Sequence, residues 1–409
     1  MTGGEDIPNS HNQYSGKLFS QQRLMYYFFL LGFFAIFSTT ISKNPILPLF
    51  TQALGSSDAV IGLIAAISPI AGILFSFPVG VLSDHVGRKR LLISSGAIFF
   101  IAPLLYLFIV HPLWLIPLRF FHGMATAILG PVIAAAIVER FPATKGEMLG
   151  QYSSATLVGR MLAPAVGGLV LTYFAAANGL IAYQVVYLIA ALAGAPVFIL
   201  TLWYPDDQNH HRSIISMTSF KESFRVFFSN PRLRATASAD MATYFAYGAF
   251  ETFLPVFLIG KGINPYQIGI IFSAQVVLIA VTKPFFGRLS DRIDKRIQII
   301  AGLLVLGGSV AAIPHSSTFF EFLALSMVTG FGISLSTIAT SAYIADVAQR
   351  QQVGASMGAL SSTMDVGHSL GPLITGIIIT EMKFSAGFLM SSILIIIVTG
   401  FFAWSVKEQ

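Results

Sequence analysis

The chain has 409 residues, 55% of them hydrophobic and only 10% charged, with a mean hydropathy of +0.76. A soluble globular surface carries roughly 25% charged residues, so an ordinary soluble fold is excluded. The 24 Lys+Arg outnumber the 18 Asp+Glu, and the absence of cysteine removes disulfides, thiolate metal sites and thiol catalysis together.

Residues 1–23 are polar, carry Glu5, Asp6, Lys17 and Arg23, and lack the basic start, short apolar core and cleavage site of a signal peptide. They read as a cytoplasmic N-terminal tail. Twelve apolar runs follow, near 24–45, 59–81, 91–110, 112–138, 146–173, 181–203, 234–259, 266–287, 297–314, 318–345, 352–380 and 384–406. A helix needs about 20 apolar residues to cross a bilayer, whereas a barrel strand shows alternating polarity over about ten. The spacing therefore predicts an all-α membrane protein with twelve transmembrane helices.

Between the sixth and seventh runs lies the longest connection, 204–233, where Phe220, Phe224, Phe227 and Phe228 interleave with Lys221, Glu222 and Arg225. That pattern predicts an amphipathic helix lying on the membrane surface. The linker divides the chain into six-helix bundles over 24–203 and 234–406, leaving 407–409 as a short tail. With the N-terminus inside, the inner segments hold 18 of the 24 Lys+Arg, four lie within spans, and only Lys261 and Lys383 fall outside. Positive inner loops place both termini in the cytoplasm, and bilayer topology accounts for the basic charge without a nucleic-acid partner.

The two halves repeat. Gly62, Gly80, Leu82, Ser83 and Asp84 recur 207 residues later as Gly269, Gly287, Leu289, Ser290 and Asp291, and Pro48 and Gly123 recur as Pro255 and Gly330. With one residue inserted, Gly150, Gly159, Pro164 and Gly168 map to Gly358, Gly367, Pro372 and Gly376. An even number of helices per copy makes the repeat parallel, about an axis along the membrane normal. Such a repeat places a cavity between the halves near the bilayer midplane, exposed alternately to each side as they rock.

Three motifs carry chemistry. After the second run the chain reads Gly80-Val-Leu-Ser-Asp84-His-Val-Gly87-Arg88-Lys89-Arg90, with a second copy Gly287-Arg-Leu-Ser-Asp291-Arg292-Ile-Asp294-Lys295-Arg296 in which Asp294 replaces the second glycine. Gly80 lets helices approach, Asp84 suits the positive end of a neighbouring helix, and the basic cluster holds the inner face. The fourth run contains Arg119-Phe-Phe-His122-Gly123-Met-Ala125. The fifth contains Gly150, Gly159, Ala163-Pro164 and Gly167-Gly168, where proline kinks the helix and glycines permit close packing.

The first motif resembles the signature loop of the major facilitator superfamily, and the second is similar to that family's Arg-x-x-Gln-Gly pattern with His122 in place of glutamine. The third resembles the antiporter signature of its drug/proton exporters, with Ala163 replacing one glycine. The resemblance covers about 24–406. It implies a gating role for Gly80, Asp84, Gly87, Arg88, Lys89, Gly287, Asp291 and Arg292, and proton coupling at Arg119 with His122 as a titratable neighbour. The alternative for His122 is a hydrogen-bonded packing residue.

Ionisable groups inside a membrane are costly, at about 2.5–3.5 kcal/mol for an arginine at the bilayer centre, and are functional candidates by default. Lys43, Arg119, Arg160, Asp240, Glu251, Lys283 and Asp365 lie within spans. Asp365 and His368 share a helix face, and Glu251 is the repeat mate of Asn44, which neighbours Lys43. These three belong toward the outer half of the cavity. A partly buried carboxylate there suits proton exchange; the alternative is an internal salt bridge such as Asp365 with Arg160. Tyr244 and Tyr247 supply apolar lining.

No nucleotide-binding loop, zinc-protease motif or nucleophile elbow occurs in a credible context, so neither an enzyme nor a cofactor or metal site is expected. Four basic and three acidic groups within spans favour an anionic or zwitterionic small molecule. The expectation is a monomeric, proton-coupled antiporter exporting it across a bacterial cytoplasmic (inner) membrane by alternating access. The alternatives are a proton-coupled importer of an organic anion or siderophore, and a non-transporting receptor of the same fold.

Overall fold

The computed structural model describes residues 10–176, 179–204, 225, 227–348 and 353–407, with the side chains of 10–22, 77, 80–86 and 353–355 outside that description. Thirteen helices span it: α1 (Ser10–Lys43), α2 (Ile46–Ala53), α3 (Asp58–Val86), α4 (Arg88–Tyr106), α5 (Leu115–Arg140), α6 (Lys145–Tyr173), α7 (Ile181–Leu202), α8 (Pro231–Gly260), α9 (Pro265–Ser290), α10 (Lys295–Ala312), α11 (Phe319–Val347), α12 (Val353–Glu381) and α13 (Phe384–Ser405). Among the described residues, eleven stretches are long and apolar enough to cross a membrane. The twelfth crossing is α12, as long as α3, α6 and α11 at 29 residues, but made more polar by Ser361, Ser362, Asp365 and His368.

The helix starts follow local chemistry. Asn230 caps α8 ahead of Pro231, and Asn264 with Gln267 forms a capping box on α9 ahead of Pro265. Thr318 and Glu321 do the same for α11. Each supplies acceptors to amides that have no partner within the helix, and proline at the first position has no amide to satisfy.

Two expectations change. The first crossing is Arg23–Ala53 rather than 24–45, because helix resumes after the Asn44-Pro45 break as α2, where Ile46, Leu47, Leu49 and Phe50 are buried. Proline removes an amide and ends α1, but the apolar residues beyond it still bury as one turn-rich segment. The backbone of 10–23, expected as a tail, continues helically into α1. The expected surface helix over 204–233 falls mostly on 205–224 and 226, outside the described residues. Phe227, assigned to its lipid face, is instead buried with Leu233, Ile344 and Leu360.

Helices α1 and α3–α7 form one six-helix bundle, with α2 appended to the end of α1, and α8–α13 form the other. In the first, α1 packs on α6 and α7, α3 on α5, and α4 on α5 and α7; in the second, α8 packs on α12 and α13, α9 on α11, and α10 on α11 and α13. The bundles meet along α3 with α12 and α6 with α9. Here glycines and carbonyls of the repeat interlock pairwise. A Cβ at Gly62 would run into the Pro372 carbonyl oxygen, and one at its repeat mate Gly269 into that of Pro164. A Cβ at Gly168 would run into the Pro265 carbonyl oxygen, and one at Gly376 would lie 2.6 Å from that of Asp58. Such backbone proximity is possible only without a side chain. At the opposite, basic face, a Cβ at Gly150, Gly287 or Gly358 would meet nothing among the described residues within 4 Å. The bundles are clasped at one end, while at the other these glycines meet no described residue of the opposite bundle.

Candidate translocation site

Between the bundles lies a cavity of about 400 Å³ lined by Lys43, Asn44, Arg119, Arg160, Tyr244, Tyr247, Glu251, Asp365 and His368. Glu251 is its hub. Oε2 of Glu251 lies 2.6 Å from Nζ of Lys43 and 2.9 Å from Nε2 of His368, and the Lys43 and His368 nitrogens are 3.2 Å apart. Asn44 donates its side-chain amide to Oε1, and the Tyr247 hydroxyl donates to the same oxygen across 3.3 Å. Two of these ligands come from the end of α1 and two from α8 and α12, so one carboxylate ties the bundles together. Asn44 and Glu251 are repeat mates, which meet because residues near a two-fold axis face their own counterparts. Tyr244 and Tyr247 flank the imidazole of His368, with centroids 6.3 and 5.6 Å away.

The remaining charges are differently placed. Asp365 does not pair with Arg160; its Oδ2 faces Gly72 of α3, 3.2 Å from where a Cβ would stand there. Neither residue forms an ion pair with a described side chain. Arg119 is 2% exposed, and its Nε has no hydrogen-bond partner among the described residues. His122 lies outside the cavity lining, 1% exposed, edge-on to Phe99 and Tyr106, with both ring nitrogens unpartnered. It thus lies outside this cavity and is not hydrogen-bonded to any described residue, because its helix turn directs it toward α4. Asp240 is also buried away from the cavity, accepting a 3.0 Å hydrogen bond from Thr340 of α11.

On the basic face, Arg88 at the start of α4 makes a bidentate ion pair with Glu139 at the end of α5. Lys295 at the start of α10 pairs with Asp346 at the end of α11 across 2.8 Å. These pairs are repeat mates at the 207-residue offset, a relation present in the sequence but invisible while only the basic partners were followed. Both lie within one bundle. Gly87 joins α3 to α4 at a φ of 92°, which favours glycine. Its counterpart Asp294 sits at a φ of −62° and instead caps α10 through the Arg296 amide. The Arg296 guanidinium, hydrogen-bonded to Asp294, holds that carboxyl below the usual aspartate range. The surroundings of Gly80 and the side chain of Asp84 lie outside the description; Asp291 and Arg292 are exposed.

Gly159 and Gly167 of the antiporter-like motif face α1 and the α1–α2 junction, where a Cβ would lie 2.7 Å from the Phe33 carbonyl oxygen and 3.1 Å from the Ile46 side chain. Gly168 and Pro164 face α9 instead, while Gly150 is open. One motif thus serves both packing within the bundle and the clasp between bundles.

The sequence profile of the Major Facilitator Superfamily matches residues 28–266 and 243–409. An uncharacterized MFS-type transporter of Methanocaldococcus jannaschii is 24% identical over 359 residues, covering 87% of this chain and 91% of that protein. Multidrug resistance protein 2 of Bacillus subtilis is 24% identical over 409 residues, covering 96% and 98%. Among solved structures, that of the nucleoside transporter NupG superposes with a TM-score of 0.80 at 15% identity, covering 94% of this chain and all of that one.

Proposed function

The chain belongs to the major facilitator superfamily and is a membrane transporter rather than an enzyme, and on that premise we propose that it exports a small organic molecule in exchange for protons across a bacterial cytoplasmic membrane. The observation that carries this reading is the cluster in which Glu251 binds Lys43 and Asn44 of one bundle while His368 and Tyr247 of the other hold the same carboxylate. Sequence relatives that include a multidrug resistance protein support export as the direction.

By the excess of positive charge, the basic face is the cytoplasmic one, so the cavity opens inward while the glycine clasp closes the outer face. An ionised Glu251 holds Lys43 and consolidates that inward-open state. Protonation removes the charge that attracts Lys43, and the tie across the axis loosens. In the cycle, the outward-open form accepts protons from the acidic outer side, returns inward and releases them to the cytoplasm. Substrate then enters and drives the opposite transition. A ligand shifts such an equilibrium only by its differential affinity for the two states, which is why the group exchanging protons must lie where the bundles meet.

The test is substrate-triggered proton movement in proteoliposomes enclosing a pH dye, with lipophilic cations, organic anions and amphoteric aromatics as the panel. The expected result is proton flux opposite in direction to substrate flux, abolished in Glu251→Gln while counterflow persists. Protons moving with the substrate make the chain an importer, and counterflow without a pH change makes it a uniporter.

A further inference from the structure

Resting on the reading of the central cavity as the substrate site, the geometry points to a zwitterion as the molecule that fills it, its anionic end held by Arg119 and Arg160 and its cationic end by Asp365. Within the cavity Lys43 and Glu251 neutralise one another. That leaves three charges unmatched by any described side chain: Arg119 and Arg160 on α5 and α6 of the first bundle, and Asp365 on α12 of the second.

Arg119 is the sharpest of the three. It is 2% exposed, lines the cavity, and has an Nε without a hydrogen-bond partner. A buried, unmatched cation is among the costliest features a membrane protein can carry, and the cost is recovered when an anion arrives. Guanidinium groups are also the side chains best shaped to bind a carboxylate through two parallel hydrogen bonds. Asp365 supplies the complementary demand, since a carboxylate open to the cavity favours a substrate ammonium. The rings of Tyr244 and Tyr247 lie beside it and suit an aromatic or apolar body.

The division between bundles gives this charge pattern a mechanical meaning. A purely anionic substrate would engage only the first bundle and a purely cationic one only the second. A zwitterion bridges both, so its binding draws the basic face closed.

The test is equilibrium binding to the full-length protein in detergent, without any ion gradient, so that it stands whether or not proton coupling is found. Two matched sets serve as probes: ciprofloxacin with its methyl ester and its N-acetyl form, and tryptophan with its methyl ester and its N-acetyl form. In each set the ester retains only the cation and the acetylated form only the anion. The expected result, in at least one set, is binding of the zwitterion at least tenfold tighter than either masked form. Arg160→Gln and Arg119→Gln then bring zwitterion and ester within twofold of each other, whereas Asp365→Asn does so for zwitterion and N-acetyl form. Arg160 is exposed to the cavity, so its variant tests the idea even if Arg119→Gln fails to fold, and Arg160→Lys restores part of the preference. An ester that binds as tightly as its zwitterion, a preference unchanged by Arg160→Gln, or no binding by either set overturns the assignment.

Discussion

Lys43 and Glu251 have side-chain exposures of 24% and 7%, so the carboxylate is the better shielded partner of the pair. Removing one member of such a pair leaves an uncompensated charge at a cost of about 3–5 kcal/mol, while removing both together is far less harmful. Lys43→Met is therefore expected to lower the melting temperature in detergent substantially, and Lys43→Met with Glu251→Gln to recover most of the loss, as a double-mutant cycle would register. Additive single effects would remove the pair from the account. At this scale the sequence was partly legible. Glu251, Asn44 and Lys43 were linked through the repeat offset, and their contact follows from the two-fold relation. His122 and Asp240 were not separable from cavity residues, because side-chain direction around a helix depends on which neighbours it packs against, and an all-round apolar sequence carries no facing signal. The Glu139 and Asp346 partners on the basic face were within reach of the same offset.

At the scale of elements, α3, α6, α9 and α12 approach through Gly62, Gly168, Gly269 and Gly376. A leucine at Gly62 or Gly168 is expected to pry the clasped ends apart, with little change in expression because the clash lies between bundles rather than inside one. The check uses the native absence of cysteine. Ala59 donates its amide to the Thr380 hydroxyl across 2.8 Å, so Ala59→Cys with Thr380→Cys should cross-link readily, and roughly fivefold less in the Gly168→Leu background. Leucine at Gly150, where nothing lies within 4 Å, should leave cross-linking unchanged. The antiporter-like spacing located these glycines but not their partner, since spacing records that a helix packs closely and not which helix it meets. The first crossing was misjudged for a related reason: a proline ends a helix in any sequence window, and only burial of Ile46, Leu47, Leu49 and Phe50 reveals that the segment continues inward.

A smaller element-scale prediction concerns Asp294, which caps α10 and whose carboxyl lies below the usual aspartate range through its hydrogen bonds with Arg296. A depressed folded-state pKa means that the stabilisation is present above the ordinary aspartate value and disappears as pH falls through the lowered one. Asp294→Ala is expected to cost about 1 kcal/mol at neutral pH, as loss of an N-cap does. Melting curves of the two proteins should converge only in strong acid, below the ordinary range for aspartate titration. Convergence near pH 5 would contradict the assignment.

At the scale of the whole molecule, the two bundles repeat one packing pattern, and that pattern was readable from composition, run length and offset arithmetic alone. What composition could not supply was the state: which end is shut depends on which glycines find a partner across the interface, and that is a property of the assembled pair. On the proposed function, the clasp at one end and the Glu251 tie beside the cavity make a transporter held open on one side by a charge interaction that a proton can cancel. The most direct test is a distance measurement by electron spin resonance in lipid nanodiscs. Nitroxide labels at Ser57→Cys and Glu381→Cys report the clasped end, and labels at Lys145→Cys and Asp291→Cys report the basic face. The account predicts a short distance at the clasped end at neutral pH and a longer one both on acidification and in Glu251→Gln at neutral pH, with the basic-face distance shortening in step. A clasped-end distance that is the same in wild type and Glu251→Gln, and unmoved by pH, would contradict it.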